Sequence, residues 1–371
     1  MGVYLEFRTS SRKDSHIILS VKEDVSSRTS SWFEYVKFVH QSVLSSSLSS
    51  VDISSDFLGY RVNAPLVISG MTGGTELAKT INEALAKLAQ KFRIPIGVGS
   101  QRAALEDPAV SHTFSVVREA APDVPVIANI GQSQVARGVK REDVLRLVEM
   151  IRADAVAVHL NPLQEALQPE GEPDFSGFLS KLKEFVEESP VPVIIKQTGE
   201  GLSRESASAL RGIKIRGLDV GGAGGTSFAV IEGLRARLGG LDVLERVAKT
   251  FADWGIPTAA SILEVREVFP DALLIATGGV RSGVDVAKAI RLGADFAGIA
   301  RPLLRELYEG GISRAEKFLE QVIKELKIAV FLTGSTNLSE LREAPVVISG
   351  ELLVWMKQRK LRLGGLDHGG L

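Results

Sequence analysis

The sequence has 371 residues, with 44 Lys and Arg against 45 Asp and Glu, and no cysteine. The absence of cysteine excludes a disulfide framework, a cysteine-ligated metal and a cysteine nucleophile. A net charge of −1 gives no excess of positive charge that would attract nucleic acid or an anionic membrane. The apolar runs are far shorter than the roughly 20 residues that span a bilayer, and no secretory signal stands at the N-terminus, so we expect a soluble, cytoplasmic protein.

The first 60 residues differ in composition from the rest of the chain. They are rich in serine, yet the stretch 32–38 is too aromatic for simple disorder. We expect an N-terminal extension that packs on the remainder of the protein, over its active face. Arg12, Lys13 and His16 form a compact basic cluster there, which is either an anion-binding group or solvated surface.

Short runs rich in Val and Ile recur along the chain, as is typical of strands buried on both faces. The predicted strands are 65–70, 95–98, 125–130, 154–160, 191–197, 217–221, 273–277 and 295–299. Helical spacing lies between them, for example over 75–92, where Leu77, Ile81, Leu85 and Leu88 share one stripe, and over 141–153.

Eight strands alternating with helices predict a parallel sheet closed into a (β/α)₈ TIM barrel. The long gap between 221 and 273 predicts an insertion between strands six and seven, with Pro257 near the start of a helix. An open doubly wound sheet is the alternative, but no GxGxxG motif follows the first strand. We therefore expect an extension over 1–60, a barrel over 61–363 and a mobile tail over 364–371.

Glycines follow the last two predicted strands. In a barrel of this type the strand ends form the active site, and turns after strands seven and eight commonly bind phosphate through backbone N–H groups. Thr277-Gly278-Gly279 and Gly298-Ile299 fit this arrangement. The alternative is that these glycines only make tight turns. Their coincidence at the two expected strands favours phosphate binding.

Three polar side chains at other strand ends are candidates for chemistry. Lys196 ends an apolar run, where it either reaches solvent or faces a negatively charged cofactor. His159 is either a structural hydrogen-bonding group or a catalytic one. Glu165 is either solvated or a ligand for Mg²⁺, which takes one or two carboxylates. The five histidines are not spaced as zinc ligands.

In order along the chain, these motifs resemble the type 2 isopentenyl diphosphate isomerases, which are FMN-dependent (β/α)₈ barrels of isoprenoid biosynthesis. The most specific pieces are MTGG (71–74), GVGSQR (97–102), HLNPLQE (159–165), PEG (169–171), GGTS (224–227) and ATGGVRSG (276–283). The resemblance runs from Arg12 to Gly334. Two departures are visible, PEGE for the commoner PEGD and GGTSF for GGTSW, and neither falls on an expected phosphate or flavin position.

The resemblance implies a residue for each role. Expected flavin contacts are Gly70, Met71, Thr72, Ser100, Asn129, Lys196, Thr226, Thr277, Gly278, Gly279, Gly298 and Ile299. Expected contacts of the allylic diphosphate are Arg12, Lys13, His16, Ser100, Gln101, Arg102, His159 and Gln164, and Glu165 is the expected Mg²⁺ ligand.

The implied reaction interconverts isopentenyl and dimethylallyl diphosphate. Because alkenes are very weak bases, we expect reduced FMN to act as the acid and base through N5, with Lys196 favouring the anionic flavin and Gln164 and His159 positioning or relaying the proton. NADPH is the expected reductant. The family and the positive mean hydropathy of +0.12 favour a homotetramer or higher homo-oligomer.

A flavin-dependent barrel oxidoreductase, such as a hydroxyacid oxidase or a nucleotide dehydrogenase, is the alternative, and a non-catalytic flavin or phosphate module is a third. The nucleotide dehydrogenase of this fold uses a cysteine nucleophile, and this chain has no cysteine. The oxidases need a His-Gly pair late in the barrel, whereas the His-Gly pair of this chain, His368-Gly369, lies in the tail.

Overall fold

The computed structural model describes residues 9–364, with side chains from residue 13 onward. In chain order, the strands described are β1 (Val36–Phe38), β2 (Ser55–Phe57), β3 (Tyr60–Val62), β4 (Leu66–Ile68), β5 (Ile96–Gly97), β6 (Val126–Gly131), β7 (Ala155–Leu160), β8 (Val193–Gln197), β9 (Gly217–Asp219), β10 (Leu273–Thr277), β11 (Phe296–Ile299) and β12 (Val346–Ile348).

The helices follow the same numbering. They are α1 (Thr9–Lys22), α2 (Glu76–Phe92), α3 (Arg102–Glu106), α4 (His112–Ala120), α5 (Gln132–Ala136), α6 (Arg141–Ile151), α7 (Pro162–Leu167), α8 (Phe178–Glu188), α9 (Arg204–Ala209), α10 (Phe228–Leu238), α11 (Asp242–Thr250), α12 (Thr258–Val268), α13 (Gly283–Leu292), α14 (Arg301–Leu332), α15 (Leu338–Glu343) and α16 (Gly350–Arg359). Short 3₁₀ turns lie at Phe33–Tyr35, Leu48–Ser50 and Pro108–Val110. None of the helices in the described part of the chain has both the length and the apolar character that crossing a membrane requires.

Strands β4 to β11 pair in parallel, each with the next along the chain, and β11 closes on β4. The predicted (β/α)₈ barrel is thus confirmed, with every barrel strand inside or within one residue of a predicted one. All six residues of β6 are buried, as expected for a strand covered on both faces. The carboxyl ends of the eight strands therefore meet at one rim.

The helices form where the apolar stripes predict them. Helix α2 begins after Thr75, whose side chain accepts a hydrogen bond from the Ala78 N–H, and it buries Ile81, Leu85 and Leu88 against the barrel. The predicted insertion between β9 and β10 contains α10, α11 and α12. Pro257 is the N-cap of α12, one position before the predicted first turn.

The end of the barrel opposite the rim is closed by packed side chains. The antiparallel hairpin of β2 and β3 inserts Phe57 against Phe296, with 5.1 Å between ring centroids and an edge-to-face angle of 88°. Both rings are fully buried beside Val67, Ile127 and other inward-facing residues. This end of the barrel is therefore filled with apolar side chains.

The segment before the barrel contacts the rim at several points. Helix α1 packs against α10 and α14, and the chain after it pairs with the β9 loop, where Ser27 N donates to Gly225 O at 2.8 Å. The boundaries at 60 and 363 remain predictions, and the tail from residue 365 lies outside the described residues.

Candidate active site

A cavity of about 660 Å³ opens at the carboxyl ends of the barrel strands. Every barrel strand contributes to its wall or its floor, either from its last residues or from the loop that follows. The predicted site residues that line it are Lys13, His16, Gly70, Met71, Thr72, Ser100, Arg102, Asn129, His159, Gln164, Glu165, Lys196, Thr226, Thr277, Gly278, Gly279 and Gly298. The rim is thus the chemically equipped face of the barrel, as its topology predicts.

One part of the wall is built from backbone. Gly278 and Gly279 have φ of 111° and 74°, values that side-chain-bearing residues rarely adopt. A Cβ on Gly278 would lie 2.1 Å from the Gly222 carbonyl oxygen, and one on Gly298 would lie 2.6 Å from Ser69 Oγ. Helix α13 begins four residues after Gly279. We call Gly278, Gly279 and Gly298 the glycine cradle. It offers close backbone approach near a helix N-terminus, where anions bind.

Two buried hydroxyls face this cavity without a partner among the described residues, Ser69 Oγ and Thr72 Oγ1. Buried polar atoms are nearly always hydrogen-bonded in folded proteins, so an unpartnered hydroxyl that lines a cavity points to a ligand. Both follow β4, next to the β11 side of the cradle.

Lys196, at the end of β8, forms an ion pair inside the cavity. Its Nζ lies 3.0 Å from Asp219 Oδ2 on the neighbouring strand β9. Asp219 Oδ1 accepts hydrogen bonds from the Thr277 hydroxyl and from Gly221 N. The lysine predicted to face a cofactor is therefore held in place by a carboxylate, and Asp219 and Thr277 fix its position.

His159 is oriented by the strand beside it. Its Nδ1 lies 2.8 Å from Asn129 Oδ1, and Asn129 Nδ2 donates to Val98 O at 3.0 Å. Since the amide oxygen can only accept, Nδ1 carries the proton. The tautomer and ring direction of His159 are thus set by Asn129.

Two predicted contacts do not reach the cavity with their side chains. Gln101 is fully buried, and its amide donates to Leu147 O at 3.0 Å while accepting from Asn129 N at 3.0 Å. It supports the residue that orients His159. Ile299 is buried at 1% exposure in β11 and packs in the core between strands and helices.

Gln164 and His16 converge on a carboxylate that the sequence motifs did not single out. Glu232 Oε1 lies 3.1 Å from Gln164 Nε2 and 2.9 Å from His16 Nε2, and Oε2 lies 2.6 Å from Arg235 Nη1. Burial opposes ionisation of Glu232, but the hydrogen bond and charge of His16, the charge of Arg235 and the Gln164 amide together hold its pKa below the ordinary value. It is a carboxylate at neutral pH.

Glu165 is buried and oriented by three donors. Its oxygens accept from Asn161 Nδ2 at 3.0 Å, Gln168 Nε2 at 2.8 Å and Glu172 N at 2.9 Å. Asn161 Oδ1 is buried and has no partner in the described part of the chain. Two oxygens of the kind that Mg²⁺ prefers, one from Glu165 and one from Asn161, thus lie at the start of α7 on the cavity wall.

Helix α1 covers the cavity and brings cations to it. Lys13 Nζ donates to Ser100 O at 3.1 Å and lies 5.0 Å from the ring centre of Phe114.

Arg102, the first residue of α3, is another cation on the cavity wall. Its Nε lies 2.6 Å from Glu106 Oε1. Burial disfavours the charged form of Arg102, but Glu106, Glu172 and Glu165 raise its pKa overall. The side chain of Arg12 lies outside the described residues.

Asp219 and Glu232 hold the cavity residues Lys196 and Gln164, and the motifs missed both. Asp219 interrupts the apolar run 217–221, and a charge inside such a run is the same signal that marked Lys196. Glu232 contacts His16 across 216 positions of sequence, and no local pattern reports a contact of that kind.

Comparison with known proteins defines the class of protein to which this chain belongs. Residues 129–348, more than half of the chain, match the family described as FMN-dependent dehydrogenase. Solved structures of mandelate oxidase share the fold, with TM-scores of 0.61 for the complex with (S)-2-phenylpropionate and 0.59 for the complex with benzoyl-formic acid. These cover 91% of this chain and 90% of theirs at 16% and 15% identity, so they establish the fold alone.

The sequence relatives are more specific. The isopentenyl-diphosphate delta-isomerase of Aeropyrum pernix is 47% identical over 93% of this chain and 91% of its own. The proteins of the same name from Pyrobaculum islandicum and Methanopyrus kandleri are 49% and 46% identical, over 94% and 95% of this chain and 98% and 95% of theirs. The chain belongs to the isopentenyl-diphosphate delta-isomerase family.

Proposed function

We propose that the protein is an FMN-dependent isomerase that interconverts isopentenyl and dimethylallyl diphosphate. The observation that carries the proposal is that two sides of one cavity differ in chemistry. The glycine cradle lies after β10 and β11, whereas Glu165 follows β7, which is four strands away from β11 in the ring. We assign the flavin phosphate to the glycine cradle and the substrate diphosphate, held through Mg²⁺, to the side of Glu165.

The cavity fits FMN on structural grounds. The glycine cradle gives the flavin phosphate backbone donors, and Ser69 and Thr72 provide hydroxyls that lack partners among the described residues. The proposed contacts from side chain or backbone are Gly70, Met71, Thr72, Ser100, Asn129, Lys196, Thr226, Thr277, Gly278, Gly279, Gly298 and Ile299. When bound and reduced, FMN supplies an electron-rich surface that can give and take a proton at an alkene.

The diphosphate is proposed to bind at the other side of the cavity. Lys13, Arg102 and His16 supply cations or donors, and Arg12, Ser100 and Gln101 complete the proposed set. For Gln101 only the backbone remains available, because its side chain is buried. Glu165 is the proposed Mg²⁺ ligand, and the unpartnered Asn161 Oδ1 adds a second oxygen.

His159 and Gln164 are proposed to act on the allylic end of the substrate. Asn129 holds His159 with Nδ1 protonated, and Glu232 holds the Gln164 amide. Gln164 does not ionise, so a proton passed along this path would end on the Glu232 carboxylate. The lowered pKa of Glu232 keeps the carboxylate deprotonated at neutral pH, so it has a free site for that proton.

We also propose a reductant for the flavin, a cellular location and an oligomeric state. NADPH is proposed to reduce the flavin. The protein is proposed to work in the cytoplasm as a homotetramer or higher homo-oligomer. Exposed apolar side chains on α10, α11 and the turn after α11, namely Leu238, Val243 and Trp254 at 65, 68 and 64% exposure, offer a surface for assembly.

The proposed function is tested by an assay under anaerobic conditions. Purified protein loaded with FMN is reduced with NADPH and given Mg²⁺ and isopentenyl diphosphate in D₂O, and the product is followed by NMR. We expect deuterated dimethylallyl diphosphate, and none from the same protein kept oxidised. Oxidation of a 2-hydroxy acid with no isomer formed would replace the proposal with the oxidase alternative.

A further inference from the structure

Arg301 stands at the place where a cation facing the flavin phosphate would be expected. It is the first residue of α14, two residues after β11 ends, and it lines the cavity near the glycine cradle. Its guanidinium, however, is directed to another part of the chain. Nε donates to Ser20 O at 2.7 Å, Nη1 to Ser26 Oγ at 2.9 Å and Nη2 to Glu23 O at 2.8 Å.

The three acceptors all belong to the end of α1 and the turn that follows it. The same turn is hydrogen-bonded to the β9 loop, because Ser26 and Thr226 form an antiparallel bridge and Ser227 N donates to Val25 O at 2.9 Å. The Gly225 of that loop lies directly on the cradle, since a Cβ there would be 2.7 Å from Gly279 N. The end of α1 is therefore anchored to the phosphate side of the rim.

The other half of α1 carries Lys13 and His16 into the cavity. Seven residues separate Lys13 from Ser20, which is about 10 Å along a helix. A small rotation at the anchored end would therefore displace both side chains from the cavity. The planar guanidinium can reach three acceptors at once, and a lysine ammonium on a flexible stem does not reproduce that geometry.

We propose that Arg301 is a positioning residue that fixes the end of α1, so that Lys13 and His16 face the diphosphate. The inference rests on the proposed function, in which those two residues bind the substrate. It assigns the arginine side chain to helix α1 and leaves the flavin phosphate to the glycine cradle and the hydroxyls of Ser69 and Thr72.

The test compares Arg301→Gln with Arg301→Lys and with Arg146→Gln in the FMN-loaded protein. Arg146 lies on α6 away from the cavity lining, is less than half exposed and pairs with Asp143, so it is the control for loss of a helical arginine. We expect Arg301→Gln to increase amide hydrogen exchange across residues 13–23 while α13 exchanges as before. FMN affinity should change by less than about twofold, and KM for the diphosphate should rise about tenfold. Arg301→Lys should recover little of the loss.

Two results would overturn the inference. One is unchanged exchange of α1 in Arg301→Gln, and the other is a loss of FMN affinity as large as the rise in KM, which would make Arg301 a phosphate ligand. The exchange measurement needs no turnover. If the wild-type protein formed no dimethylallyl diphosphate, the proposed function would fail while the exchange result still decided whether Arg301 holds α1.

Discussion

The two sides of the cavity are built by different means. The cradle side uses backbone groups and glycines within a few residues of β10 and β11, and its shape follows from positive φ and from the lack of Cβ atoms. The proposed substrate side uses side chains from α1, α7 and α10 that meet at Glu232 and Glu165. The first side depends on local sequence. The second exists only once the chain is folded.

The largest effect is expected from Gly278→Ala. The substitution places a Cβ 2.1 Å from a carbonyl oxygen at a φ of 111°, so we expect FMN binding to be lost and the free energy of unfolding to fall by at least ~2 kcal/mol. Flavin absorbance of the purified protein and urea unfolding measure the two effects.

Gly240→Ala is the matched control, with a φ of 70° and nothing within 4 Å of the added Cβ. It should cost only about 1 kcal/mol and retain FMN, because it adds backbone strain without a clash. Equal loss of flavin in both variants would show that FMN binding does not depend specifically on the glycine cradle.

Glu232→Gln should come next. It keeps the shape of the side chain but removes the charge that His16, Arg235 and Gln164 share, so we expect kcat to fall about 100-fold with FMN still bound. Glu170→Gln is the control, since Glu170 also pairs with Arg235, at 2.7 Å, but is a quarter exposed. Single-turnover assays separate the chemical step from binding.

The pKa of Glu232 also predicts how stability depends on pH. Because its pKa is lower in the folded protein than the ordinary 4.5, ionised Glu232 stabilises the fold above that pH, and the contribution is lost as pH falls through the folded value. Urea unfolding between pH 3 and 6 should therefore show a steeper loss in wild type than in Glu232→Gln. Parallel curves would contradict the assigned charge.

Glu165→Gln should have a smaller effect, confined to the substrate side. We expect the concentration of Mg²⁺ needed for half-maximal activity to rise about tenfold, with FMN affinity unchanged, because a neutral amide is a weaker ligand than a carboxylate. Glu172→Gln, more than a third exposed, serves as control. A wild-type Mg²⁺ dependence in Glu165→Gln would place the metal elsewhere.

Phe228→Trp should have the smallest effect. Phe228 lines the cavity and stands edge-to-face to His16, with 6.0 Å between ring centroids, so a larger aromatic ring keeps that contact. We expect kcat/KM to stay within about threefold of wild type, a change steady-state assays resolve. A loss comparable to that of Glu232→Gln would show that the two sides are more tightly packed than the contacts indicate.

The same contrast explains how far sequence alone could lead. The barrel strands and the glycine cradle are local patterns, so the residues around Gly278 and Gly298 could be assigned to the rim from the amino-acid sequence. Gln101 shows the limit of a motif, because its position in GVGSQR predicts a substrate contact while its side chain is buried under Asn129. Glu232 required the tertiary contact with His16, which neither composition nor spacing contains.

The most direct test of the two-sided cavity is a crystal structure of the protein with FMN, Mg²⁺ and dimethylallyl diphosphate. We predict that the flavin phosphate lies against Gly278, Gly279 and Gly298, and that the diphosphate lies against Lys13 and Arg102 with Mg²⁺ on Glu165. A diphosphate seated in the glycine cradle, or a flavin phosphate bound at Glu165 through the metal, would contradict this prediction.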